Sequence, residues 1–91
     1  MENHQFTYQP QGTCSKVIQL ELDSDNRVHH VQFIGGCPGN TLGISLLVEG
    51  QPAEAVIRRL KGVRCGLKPT SCPDQLALAL EGALAEIDTE K

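Results

Sequence analysis

Aromatic side chains are scarce in this sequence: among 91 residues there is no tryptophan, and only Phe6, Phe33 and Tyr8 represent the class. The core must therefore come from Leu, Val, Ile and Ala, without the large area that aromatics bury. No run approaches the ~20 apolar residues of a membrane-spanning helix, which excludes that class of protein. Positive charge is also short, with eight Lys and Arg against eleven Asp and Glu and a formal net charge of -3. General nucleic-acid binding is thereby disfavoured, since phosphate contacts need clustered cations. The one basic stretch, Arg58 to Lys68, reads as the solvated end of a helix and its loop. The first residues, MENHQFTYQPQG, are polar and lack the apolar stretch of a signal peptide. Paired Cys-X-X-Cys knuckles are missing, so a zinc ribbon is excluded.

What is present suits one domain over 1–91, with an ordered core of about 6–87. A chain this short buries a limited fraction of its surface, and a metal staple would add considerably to its stability. From the polar amino terminus and the lack of a span, the expected setting is a reducing cytoplasm. In that compartment four cysteines in a short chain point to metal or redox chemistry more than to structural disulfides.

Alternating polarity predicts strands. Phe6-Thr7-Tyr8 reads as a brief edge strand closed by Pro10 and Gly12. Lys16 to Asp23 places Ile18, Leu20 and Leu22 on one face, and after a Ser24-Asp25-Asn26 turn, Arg27 to Ile34 sets Val31 and Phe33 opposite His30 and Gln32. The two should pair as an antiparallel hairpin. At Gly35-Gly36-Cys37-Pro38-Gly39-Asn40 the apolar period changes from two to about 3.6. Asn40 or Thr41 is placed to cap a helix through Val48, and Pro52 opens a second through Leu60, with Ala53, Val56, Ile57 and Leu60 as its stripe. Gly50 and Gly62 read as helix terminators. Thr70-Ser71-Cys72-Pro73-Asp74 has the chemistry of a helix entry, leading into a last stripe of Leu76, Ala79, Leu80, Ala83, Leu84 and Ile87. The expected fold is α+β: an antiparallel meander of two or three strands followed by three helices packed on one face.

Cys14, Cys37, Cys65 and Cys72 all fall at the boundaries of these elements, separated by 22, 27 and 6 residues. A cysteine used as a small hydrophobe belongs inside a periodic stripe, and none of the four is there. The loop after the first strand, the exit of the third strand and the entry of the last helix can share one end of the sheet. Four thiolates meeting there would suit zinc or an iron-sulfur cluster with no other protein ligand. Cys72, at a helix start, sits where the backbone favours negative charge. Thiol-disulfide exchange and inert cysteines remain the alternatives at this point. Lys16 and Arg64, beside cysteines, either stabilise thiolates or serve as solvated charges. His29 and His30, adjacent on a strand, should point to opposite faces, each as a surface histidine. The Gly35 to Asn40 elbow could cradle a phosphate, with a tight turn as the plainer reading.

The string TSCPD at 70–74, with Gly36-Cys37-Pro38-Gly39-Asn40 and the order of the four cysteines, resembles the small TSCPD-domain proteins over about Tyr8 to Leu84. That family is similar to a domain near the carboxyl end of adenosylcobalamin-dependent ribonucleotide reductases. The resemblance implies a link to ribonucleoside-diphosphate reduction, as a metal-binding module or as a dithiol accessory in which Cys65 and Cys72 exchange a disulfide. It does not imply catalysis by this chain alone, because 91 residues cannot hold the radical-bearing barrel and nucleotide pocket that such an enzyme needs. The order of strands, helices and cysteines also resembles the U-type iron-sulfur cluster assembly scaffold, whose three cluster cysteines fall on Cys14, Cys37 and Cys72. That likeness implies a scaffold role with iron-sulfur proteins as partners. Two positions depart from it: Lys16 stands where the scaffold has an aspartate, and Ser71 where it has a histidine. Cys65 would then be the fourth ligand and close the site.

Overall fold

The computed structural model describes residues 3–10, 15–35, 38–64 and 70–90. Among them three strands, β1 (His4–Tyr8), β2 (Ser15–Leu22) and β3 (Val28–Gly35), precede three helices, α1 (Pro38–Val48), α2 (Ala53–Leu60) and α3 (Cys72–Glu90). The strands form an antiparallel meander in the order β1-β2-β3, so β1 is the expected edge strand and β2 is central. The fold is therefore α+β, as the alternating and helical periods require.

β2 supplies the sheet's inward face. Ile18, Leu20 and Leu22 are almost wholly excluded from solvent, and they meet Val28 and Val31 of β3, Val48 of α1, Ala53 and Val56 of α2, and Leu76, Ala79, Leu80, Ala83 and Ile87 of α3. Each fully buried Leu or Ile contributes roughly 1.5–3 kcal/mol relative to exposure. The alternate residues Gln5, Thr7, Gln19 and Gln32 are exposed, so one face of the sheet is solvated.

Strict alternation cannot bury both Val28 and Val31, which are three residues apart. A bulge resolves this. Gln19 pairs with Gln32 and Glu21 with His29, so β3 carries one more residue than β2 across that interval. His30 takes a left-handed backbone there, at φ 53°. The two histidines consequently do not diverge as alternation predicts, and their ring centroids lie 6.2 Å apart.

The turn between β2 and β3 is closed by Asp23, whose Oδ1 accepts the backbone N–H groups of Asp25 and Arg27 at 2.9 and 3.0 Å. Beyond α1 the chain runs beside the start of β3: Val28 donates to the Gln51 carbonyl at 2.9 Å, and Gly50 donates to the Val28 carbonyl at 2.6 Å. Gly50 and Gly62, at φ 76° and 89°, stop α1 and α2 in the left-handed conformation that glycine adopts without strain. Pro52 stands just outside α2 as its cap residue and does not open it. α1 begins at Pro38, upstream of the caps expected at Asn40 or Thr41, because proline's fixed φ suits a first helical turn.

α1 has no charged side chain. It turns Thr41 and Val48 inward, while Leu42, Leu46 and Leu47 remain 61%, 69% and 78% exposed. Among the described residues no helix is long and apolar enough to cross a membrane.

Candidate functional site

Of the four cysteines, Cys72 is described; Cys14, Cys37 and Cys65 lie outside the described residues. Cys72 is half-buried and is the first residue of α3. The residues around it explain how the sequence fixes its position.

Ser71 is the helix cap. Its Oγ accepts the backbone N–H of Asp74 at 3.2 Å, and its carbonyl takes the first intrahelical bond from the N–H of Gln75 at 2.9 Å. The same Oγ donates to the Val63 carbonyl at 2.6 Å. Asp74, buried in the first turn, accepts the N–H of Gly62 at 2.7 Å and the hydroxyl proton of Thr70. Gln75 Nε2 donates to Thr70 Oγ1 at 2.9 Å, and the hydroxyl of Tyr8 donates to Gln75 Oε1 at 3.3 Å. Tyr8, Gln75, Thr70 and Asp74 thus form a donor chain that ends on a carboxylate, an arrangement in which each bond polarises the next.

The Thr70 hydroxyl, then the Gly62 N–H, with Lys61 and Arg64 nearby, hold the Asp74 carboxyl below its ordinary pKa against the opposing effect of burial. Asp74 therefore keeps its charge where the positive end of the α3 dipole favours it.

The bond from Tyr8 brings the first turn of α3 to the end of the sheet where β1 stops, β2 starts and β3 ends. Tyr8 closes β1 and reaches the first turn of α3. Ser15, which follows Cys14 in sequence, pairs with Gly35, two residues before Cys37. Pro38, immediately after Cys37, opens α1. Gly62 and Val63, shortly before Cys65, are bonded to Asp74 and Ser71, two residues after and one before Cys72.

A family model, the TSCPD domain, matches residues 3–84. This chain belongs to the TSCPD-domain family. No curated protein and no solved structure matches it. The five residues that give the TSCPD domain its name divide by role here. Thr70, Ser71 and Asp74 build the clamp, Pro73 occupies the first helical turn, and Cys72 is the one soft donor among them.

Sequence reading anticipated the helix entry at 70–74 but not its reach. Gln75 and Tyr8 complete the clamp across 67 residues of chain, a pairing that no local pattern carries. The Gly35 to Asn40 elbow includes Gly36 and Cys37, which lie outside the described residues, as does the end of the basic stretch from Cys65. Arg58, Arg59, Lys61 and Arg64 are exposed, and Lys61 pairs with Glu81 of α3 at 2.9 Å, in keeping with a solvated role. Lys16 is exposed as well. Among the described residues, no group of three or more His, Cys, Asp or Glu side chains is arranged to hold a metal ion.

Proposed function

We propose that this TSCPD domain is a small metal-binding module in which Cys14, Cys37, Cys65 and Cys72 supply four thiolates to zinc or to an iron-sulfur cluster. The observations that support the reading are two pairings between sequence neighbours of the cysteines, Ser15 with Gly35 in the sheet and Ser71 with the Val63 carbonyl at the entry of α3, with Pro38 opening α1 directly after Cys37. Thiolates are soft donors that suit both groups, and four of them complete the site. Ser71, at the position where the U-type scaffold carries a histidine, is occupied as a helix cap and as a donor to Val63. A cysteine fourth ligand therefore fits this chain better than a residue at position 71, which favours a closed site over an open scaffold.

Elemental analysis and an absorption spectrum of the protein purified without oxygen test the reading. The expected result is one zinc per chain, or iron and sulfide with visible charge-transfer bands. A well-folded protein with neither would overturn it.

One observation favours a second reading, the dithiol accessory of a ribonucleoside-diphosphate reductase. The Ser71 bond to Val63 ties the approach of Cys65 to the turn that carries Cys72. Reversible disulfide formation between Cys65 and Cys72 would pass two electrons and two protons to a partner's disulfide, reducing it to two thiols. A reductase or an iron-sulfur protein is the partner in the respective readings, and a cytoplasmic setting, where thiols stay reduced, suits both.

A further inference from the structure

The far end of the sheet carries a second constellation, independent of the cysteines. His29 Nε2 lies 2.7 Å from Asp23 Oδ2, and its Nδ1 lies 2.6 Å from Glu49 Oε2. Asp23 belongs to the hairpin turn, and Glu49 follows directly on α1. The other oxygen of Glu49 accepts the backbone N–H of His30 at 2.9 Å, a direction that the left-handed His30 backbone makes available.

An ionised carboxylate can only accept hydrogen bonds, whereas a neutral imidazole has one N–H and one bare lone pair. A ring held between two carboxylates at these distances therefore needs protons on both nitrogens. If one proton leaves, a lone pair faces a carboxylate and that contact becomes repulsive.

We propose that His29, Asp23 and Glu49 form a proton-operated latch fastening the end of α1 to the β2–β3 hairpin, closed while the ring carries both protons and released when one is lost. Among the described residues, the other titratable or charged groups near the ring are Glu21 of β2, paired across from His29, with Arg27 and His30 flanking it in sequence. Glu21 lies 3.2 Å from His30 Nδ1, and the Arg27 guanidinium donates to the Gly50 carbonyl at 2.9 Å. Both carboxylate contacts raise the His29 pKa, Asp23 more than Glu49, and outweigh the cost of partial burial. The carboxyls of Asp23 and Glu49 are lowered, chiefly by backbone N–H groups of Arg27 and His30 respectively and then by His29 itself.

The signs define a window. A raised histidine contributes stability that is complete below its unfolded value of about 6.5 and is lost as pH rises through the higher folded value. The lowered carboxyls contribute above their unfolded values of about 4 and lose that contribution as pH falls through the lower folded values. The latch is closed between these limits and opens on the alkaline side. The backbone bonds of Val28, accepted by the Gln51 carbonyl and donated by the Gly50 N–H, remain, so opening loosens the α1 end without detaching it.

Nitrogen-detected NMR of the histidine rings on the full chain, titrated from about pH 5 to about pH 9, tests the latch. His29 should show two protonated nitrogens at neutral pH and titrate above the ordinary histidine value, with Glu49→Gln shifting it down. Thermal unfolding of His29→Gln should fall below the wild type in mildly acidic buffer and converge with it above the ring's titration. Titration at or below the ordinary value, no shift in Glu49→Gln, or a stability gap independent of pH would each overturn the proposal. If His29→Gln does not fold, the ring titrations of wild type and Glu49→Gln decide the matter.

Discussion

The Ser71 hydroxyl both caps α3 and, through its 2.6 Å bond to the Val63 carbonyl, holds the stretch before Cys65 against the turn that carries Cys72. One side chain thus couples helix initiation to the placement of a loop. Ser71→Ala should lower stability by about 1–2 kcal/mol, the range expected for a lost cap together with the part-buried bond to the Val63 carbonyl. Urea denaturation gives the value, and an unchanged midpoint would remove Ser71 from the clamp.

Asp74 makes the same region sensitive to acid. Its carboxyl is lowered by Thr70 and Gly62, so its contribution is present above the unfolded value of about 4 and is lost as pH falls through the folded one. Asp74→Asn should be less stable than the wild type at neutral pH, with the gap narrowing on acidification. A gap that widens in acid would reverse the assigned sign.

Two glycines should respond oppositely to alanine. Gly82 lies within α3 with nothing within 4 Å of an added Cβ, so Gly82→Ala should raise stability by about 0.5–1 kcal/mol. Gly50 has equal space but stands at φ 76°, and Gly50→Ala should destabilise through backbone strain. Denaturation midpoints of the two variants separate conformational effects from steric ones.

Leucines divide in the same way. Leu80→Ala empties a wholly buried position and should cost about 2–5 kcal/mol. Leu46→Lys, on the exposed side of α1, should change stability by no more than about 0.5 kcal/mol. Calorimetric scans of both variants check the assignment of inner and outer faces.

The two readings of the cysteines separate by substitution to serine. In a closed metal site, each of Cys14→Ser, Cys37→Ser, Cys65→Ser and Cys72→Ser should lose the bound group and with it much of the fold, because binding to such a site supplies on the order of 10 kcal/mol. In a dithiol accessory, Cys65→Ser and Cys72→Ser should stay folded and lose only disulfide exchange. Circular dichroism alongside a thiol-exchange assay distinguishes them.

Much of the fold was legible because burial imposes a period. The alternation of Ile18, Leu20 and Leu22 and the helical spacing of Leu76, Leu80, Ala83 and Ile87 each mark an inward face, and these residues form the core. The entry of α3 was legible because a cap is local: Ser71 and Asp74 are three residues apart, and their chemistry needs nothing distant. The bond from Tyr8 to Gln75 was not, since it depends on how β1 and α3 come together. Nor was the contact of His29 with Glu49, which requires the end of α1 to return to the start of β3. Of the proposed thiolate site, Cys72 is described, and its place at the start of α3 follows from the local cap of Ser71.

The bulge at His30 divides β3 into two segments with opposite phase. Val28 and Val31 share a face only because one residue is interposed between them. Deleting His30 would restore a uniform alternation and force a choice: either the hairpin end or the segment leading to Gly35 must turn its apolar residues outward. The interposed residue therefore acts as a reading-frame correction, and the two ends of the sheet answer to separate sequence patterns.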